Sequence, residues 1–171
     1  MTELAAPALE LPSPAAALQR RFEAIHRGPM AGLPMLNPAL QVRALGFQPW
    51  DVFWLGVLVT PWFMNLVLMP RLPEQFPPCA ERESRHLVFP AGVFEFIGAQ
   101  DAELGTWLAC SLFSPMFEFG DQAAAEATGL AALQGLLEAP APAAPAAPEP
   151  SAQAAPAALS KRNFLFGRGP G

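Results

Sequence analysis

The sequence predicts an α+β fold: a mixed, mainly antiparallel sheet of about five to six strands, flanked by an N-terminal and a C-terminal helix. Three observations predict it. Apolar residues recur at helical spacing near residues 18–25 and again near 123–137. Between these two stretches, short apolar or alternating runs of strand length follow one another, rich in β-branched and aromatic residues. Proline and glycine punctuate the runs, in a chain with 21 prolines among 171 residues.

Residues 1–12 are rich in Ala, Leu and Pro and read as a flexible N-terminus. No basic stretch precedes an apolar one there, so no secretory signal is predicted. Ser13 and Pro14 read as N-cap and first helical residue. Leu18, Phe22 and Ile25 then form one helical face, which Gly28-Pro29 ends. Pro29, Pro34 and Pro38 make the next ten residues an irregular connection. Leu40, Val42 and Ala44 alternate with Gln41 and Arg43, the period of a half-buried strand.

Residues 52–70, VFWLGVLVTPWFMNLVLMP, carry no charge. About 20 apolar residues suffice to cross a bilayer, so a membrane helix has to be weighed. Thr60, Pro61 and Asn65 split the run into VFWLGVLV and WFMNLVLM, each of strand length, and the reading is two buried strands with no stable membrane insertion. Residues 70–86 hold four prolines and clustered charges and read as a loop closing on a short helix. HLVF (86–89), VFEFI (93–97) and WLACSL (107–112) are further strands. Pro90-Ala91-Gly92 turns between the first two, and Gly98–Gly105 links the last two. Asp121 reads as an N-cap, followed by an amphipathic helix with Ala123, Ala127, Leu130, Leu133 and Leu137 on its apolar face. The folded domain therefore spans residues 13–138. Residues 139–158 follow, seventeen of twenty being Ala or Pro, a semi-rigid linker without the large apolar groups a core needs. The last segment, 159–171, is basic and aromatic: Lys161, Arg162 and Arg168 are interleaved with Phe164, Leu165 and Phe166.

Charge is distributed unevenly. Residues 36–138 carry eleven acidic against four basic side chains, net −7, whereas residues 139–171 carry one against three, net +2. An acidic domain argues against a nucleic-acid partner and for cationic peptides, or for the tail docking on its own domain. Catalytic and metal motifs are missing from the sequence. The histidines are His26 and His86, the cysteines Cys79 and Cys110, and no CxxC, HExxH, GxSxG or phosphate-binding glycine pattern occurs. His26 complements a helix C-terminus and His86 a strand edge. Cys79 follows two prolines in a loop and is a candidate reactive thiol, while Cys110 lies in a strand pattern and reads as a small hydrophobe.

The candidate partner-binding residues are apolar and acidic. Trp62, Phe63 and Met64 follow Thr60-Pro61, and Phe113, Met116 and Phe117 surround Ser114-Pro115, both at breaks where loops leave strands. Exposed there, they would form a protein-binding patch. Glu95 and Glu118, each between two phenylalanines, would grip an Arg or Lys of a partner. Arg162, Phe164 and Leu165 would form a second contact, or a pseudo-ligand in the absence of a partner.

The strings NPALQVRALGFQPW (37–50), LGVLVTPWFMNLVLMP (55–70), FPAGVFEF (89–96) and CSLFSPMFEFGDQAAAEA (110–127) resemble the HybE/HupJ family of nickel–iron hydrogenase assembly chaperones. The similarity runs in order from about residue 17 to 138. The ending KRNFLFG resembles the basic-aromatic C-terminus of the family, with Phe166 where an Arg is usual. The resemblance implies a cytoplasmic, non-enzymatic accessory protein without a cofactor. Its partners would be hydrogenase large or small subunit precursors, among them a small subunit bearing a twin-arginine export signal. Some members carry a fused rubredoxin with two CxxC pairs; this chain has neither pair, so no iron site carries over. Two other readings stand beside it: a metal-handling or thiol-dependent maturation factor using Cys79 or Cys110, and a membrane-anchored protein held by residues 52–70.

Overall fold

The structure, a computed structural model, describes residues 9–139. Helix α1 spans Ala15–Arg27 and helix α2 Gln122–Leu137, and between them run six strands: β1 Arg43–Trp50, β2 Phe53–Val59, β3 Met64–Pro70, β4 Ser84–Phe89, β5 Gly92–Asp101 and β6 Gly105–Phe113. They form one sheet in the order β1-β2-β3-β6-β5-β4. Every adjacent pair is antiparallel. Two three-stranded meanders thus meet along β3 and β6, and β1 and β4 are the edges.

The apolar run 52–70 is explained by burial on both faces. Leu55, Val57 and Val59 of β2, Leu66 and Leu68 of β3, and Leu108 and Leu112 of β6 pack with Ala125, Ala132, Leu133 and Leu136 of α2. The intervening residues Leu58, Val67, Met69 and Trp107 pack with Leu18 and Phe22 of α1. The helices therefore cover opposite faces, and apart from the paired Asn65 and Ser111 the central strands have little solvent side on which polar residues could alternate. Strands buried on both faces read as continuous apolar runs for this reason, and each buried Leu, Val or Met contributes about 1.5–3 kcal/mol. The run is two strands joined by a turn at Thr60–Phe63, and no helix among the described residues is long and apolar enough to cross a membrane.

Several sequence expectations are corrected. Strand β1 starts at Arg43, not at Leu40. Leu40 is buried on the α2 side and Val42 on the α1 side, because the chain rounds the end of the sheet between the two layers. The register of β1 slips between Leu45 and Gln48, a bulge at which Gly46 takes φ +66°. The first helix is capped at Pro14, and Ser13 only accepts a long bond from the Ala15 N–H at 3.4 Å. The short helix in the 70–86 loop is a single 3-10 turn at Pro73–Gln75, near the start of that loop. Residues 98–101 continue β5, paired Gly98 with Leu108 and Ala99 with Trp107, so the connecting turn is only Ala102–Leu104. The N-terminus is not loose throughout: Leu11 donates to Arg71 O at 2.8 Å and accepts from Trp54 Nε1 at 2.9 Å. The linker and the C-terminal segment lie outside the described residues.

Helix α2 begins as expected, with the Asp121 carboxylate accepting from the Ala124 N–H at 2.7 Å. Its buried face is not the expected one. Ala125, Gly129, Ala132, Leu133 and Leu136 are buried, while Ala123, Ala127 and Leu130 face outward. Small residues win because they let the helix axis approach the sheet. A Cβ on Gly129 would lie 2.9 Å from Val57 Cγ1. In a helix this rich in Ala and Leu almost any face is apolar, and shape decides.

Helix α1 is clamped by Arg21. Its Nε lies 3.1 and 3.0 Å from the two Asp101 oxygens. Its Nη atoms reach Asp101 at 3.0 Å and Glu103 at 3.0 Å. Burial pushes the Asp101 pKa up, but the N–H groups of Glu103 and Leu104 and the Arg21 guanidinium outweigh it and hold the carboxyl below its ordinary value.

Two outcomes follow from this packing. Arg21→Ala should lose about 1–2 kcal/mol in urea unfolding at neutral pH. A lowered Asp101 pKa stabilises the fold above the ordinary aspartate value of about 3.9 and ceases to as pH falls through the lowered one, so wild type and variant should converge in acid. Gly129→Ala should lose stability by thermal denaturation, although helix propensity alone would add about 1 kcal/mol, because the new methyl collides with Val57.

Candidate functional site

Three loops meet at one end of the sheet, and Asn37 joins them. It is 6% exposed. Its backbone N–H donates to Pro61 O at 2.9 Å, in the β2–β3 turn. Its Nδ2 donates to Met116 O at 2.9 Å and Phe119 O at 2.8 Å, in the β6–α2 loop. Its Oδ1 accepts from the Ala39 N–H at 2.9 Å. One side chain thus uses both amide hydrogens and its oxygen to hold the α1–β1 connection to the β6–α2 loop, and its own N–H adds the third loop. The β2–β3 turn is shaped by Thr60, fully buried, whose Oγ1 accepts from the N–H of Trp62 and of Phe63 at 3.2 and 2.9 Å and donates to Phe63 O at 3.0 Å.

The sequence candidates divide on this framework. Phe117 is 56% exposed, and Glu118 beside it is exposed. Trp62 and Phe63 are half-buried against α1, with Trp62 6.4 Å from Phe22 and 6.0 Å from His26 between ring centroids. Met64, Phe113 and Met116 are corrected as surface residues: all three are core, Met116 fully enclosed. Met64 and Phe113 are paired across β3 and β6 with side chains toward α2, and Phe113 stacks edge-on with Phe119 at 4.9 Å. These three hold the loops from below. Glu118 lies in a loop rather than a strand, whereas Glu95 does face away from Phe94 and Phe96, out from the middle of β5. There it accepts a hydrogen bond from Ser84 Oγ and lies 3.9 Å from His86 Nε2. Arg162, Phe164 and Leu165 lie outside the described residues. Leu33, Met35 and Asn37 were not singled out from the sequence. Leu33 and Met35 are exposed on the connection that Asn37 ties to the loop of Phe117. The usable signal was Asn37-Pro38, a polar-Pro pair like Thr60-Pro61 and Ser114-Pro115.

Both cysteines are buried. Cys79 lies beneath β5 and donates its S–H to Glu83 O at 3.7 Å. Burial, and then the Glu83 carboxylate, push its thiol pKa up against the opposing pull of Arg85. That is the reverse of what activates a thiolate, and it argues against Cys79 as a reactive thiol. Among the described residues no group of three or more His, Cys, Asp or Glu is placed to hold a metal ion. The arrangement offers apolar side chains beside a carboxylate on a preorganised framework, which is equipment for binding.

Comparison with known proteins follows the same lines. A family model described as NiFe-hydrogenase assembly, chaperone, HybE, matches residues 13–167. The hydrogenase expression/formation protein HupJ of Bradyrhizobium diazoefficiens is 41% identical over 138 residues, 81% of this chain and 78% of that one. The protein HoxT of Cupriavidus necator is 40% identical over 167 residues, 88% of this chain and 87% of that one. The solution structure of HybE from Escherichia coli superposes with a TM-score of 0.60 at 25% identity, covering 84% of this chain and 88% of that one.

Removing the Asn37 tie isolates its contribution. Asn37→Ala leaves two carbonyls and one N–H without their side-chain partner and should cost about 1–3 kcal/mol in chemical denaturation. Asn37→Asp should cost at least as much, since a carboxylate cannot donate to Met116 O and Phe119 O, and amide exchange in residues 116–119 should quicken in both variants.

Proposed function

The chain belongs to the HybE family of nickel–iron hydrogenase assembly chaperones, and from that premise we propose that it acts without catalysis, by holding a hydrogenase subunit precursor on the loop cluster joined by Asn37. The observation that carries this reading is the convergence of three of the four strings by which the sequence resembles the family. NPAL, TPWF and SPMFEF come from distant parts of the chain and are bonded to one another through one buried residue, Asn37, by its side-chain amide and its backbone N–H. Phe117, Met35 and Leu33 supply exposed apolar contact, and Trp62 and Phe63 sit half-buried in the turn that the Asn37 N–H also holds. Glu118 sets orientation and on-rate for a cationic client, as charge at an interface rim does. A precursor with paired arginines followed by an apolar stretch, the chemistry of a twin-arginine signal on a small subunit, fits a domain of net charge −7 between residues 36 and 138. The thiol-dependent alternative is disfavoured by the burial and raised pKa of Cys79.

The test is co-purification of the tagged chain with the large and small subunit precursors of a nickel–iron hydrogenase expressed beside it. A precursor should be retained, and Phe117→Asp combined with Met35→Asp should weaken its binding about tenfold or more, about 1.4 kcal/mol, with an unchanged melting temperature. Glu118→Lys should slow association and flatten its salt dependence. Recovery of neither precursor, or undiminished binding by the double variant, would sink the assignment of client or of surface respectively.

A further inference from the structure

The outer face of the β4–β5 hairpin is covered by neither helix. Ser84, His86 and Val88 of β4 lie directly opposite Ile97, Glu95 and Val93 of β5, and all six point away from the core that Leu87, Phe89, Phe94 and Phe96 enter. Val88 is 75% and Val93 62% exposed, and Ile97 is exposed as well. The cluster under α1 on this side of the sheet draws on β1, β2, β3 and β6 and reaches the hairpin only at Ala99, near the far end of β5 from its turn. β4 is also an edge strand, bonded only to β5. An exposed apolar edge of this kind templates unwanted association unless something covers it.

We propose that the covering element is the chain's own C-terminal segment, Lys161–Arg168, laid on the outer face of β4–β5 with Phe164 and Phe166 on Val88, Val93 and Ile97 and an arginine on Glu95. Four observations converge on that occupant. Helix α2 ends against this hairpin: Leu136 O accepts from the Ala91 N–H, in the β4–β5 turn, at 3.2 Å. The described chain therefore ends close to the β4–β5 turn, the turn that Val88 and Val93 flank. Reach is ample, since the Ala/Pro-rich stretch from 140 to 160 would extend on the order of 60 Å at about 3.1 Å per residue, against about 20–30 Å for a hairpin of this length. The chemistry is complementary: in an extended peptide Arg162, Phe164, Phe166 and Arg168 share one side, two rings between two cations, and the segment from 139 onward is net +2 where the domain is net −7. Finally, the family match runs to residue 167 and so extends across this segment. Tethering gives an effective concentration near the millimolar range, so a weak intrinsic affinity suffices for occupancy. The surface is distinct from the loop cluster of Phe117 and does not depend on which client that cluster holds.

Nuclear Overhauser effects in the isotope-labelled full-length chain test this directly. Cross-peaks should link the ring protons of Phe164 and Phe166 to the methyls of Val88, Val93 and Ile97. They should be lost in Val93→Asp, whose exposed position keeps the fold, and in Phe164→Ser combined with Phe166→Ser, with matching methyl shifts in both variants. Contacts running instead to Leu33, Met35 or Phe117, or no contacts to the domain at all, would overturn the proposal. So would cross-peaks between labelled and unlabelled chains in a mixed sample, which would make the occupant the tail of a second copy.

Discussion

Burial of the central strands on both faces is the constraint on which the rest of the molecule depends. With α1 on one side and α2 on the other, β2, β3 and β6 leave little room for a polar group outside the paired Asn65 and Ser111, and the residues between Asp51 and Arg71 are uncharged as a result. The close seat of α2 follows from the same demand. Gly129 over Val57 and Ala125 and Ala132 beside it bring the helix down close onto the sheet. On the other face, Gly56 leaves room for the Phe47 ring to lie flat on the sheet.

A centre committed to packing displaces recognition to the ends and the edge of the sheet. At the end where three loops converge, Asn37 and Thr60 are buried polar side chains, and both satisfy themselves on backbone atoms of the loops they organise. Desolvating an amide is costly unless its bonds are made, and making them fixes the loops relative to one another. Preorganisation of that kind lowers the ordering cost of binding an extended client. The core aromatics below, Phe113 against Phe119, and Phe22 against Trp62 and Phe63, give the loops a stiff floor.

At the β4 edge the logic is different. The strand has no neighbour to its outside, and its hairpin turn receives the C-terminus of α2. An acidic domain and an exposed apolar hairpin have the chemistry that a basic-aromatic sequence such as residues 159–171 would complement. The opposite charges of domain and tail act over distances where apolar contacts do not, and so would bring the tail near before packing holds it.

Strand and helix type was legible from local pattern, because period 2 and period 3.6 are properties of neighbouring residues. VFWLGVLV and WFMNLVLM as a strand pair, Asp121 as an N-cap, the two flanking helices and the family-like strings were all readable in the chain alone. What was not readable was the assignment of side chains to inside and outside wherever many residues are apolar. Met64, Phe113 and Met116 looked like a surface beside proline breaks and are core, while Leu130 looked like core and faces solvent. Leu40 and Val42, two residues apart, enter opposite layers. Which face of an Ala-rich helix is buried, and which buried amide ties three loops, depends on atoms some eighty positions away, from Asn37 to Met116 and Phe119. Such information exists once the chain has closed on itself, since steric fit and paired hydrogen bonds are properties of two surfaces and never of one segment.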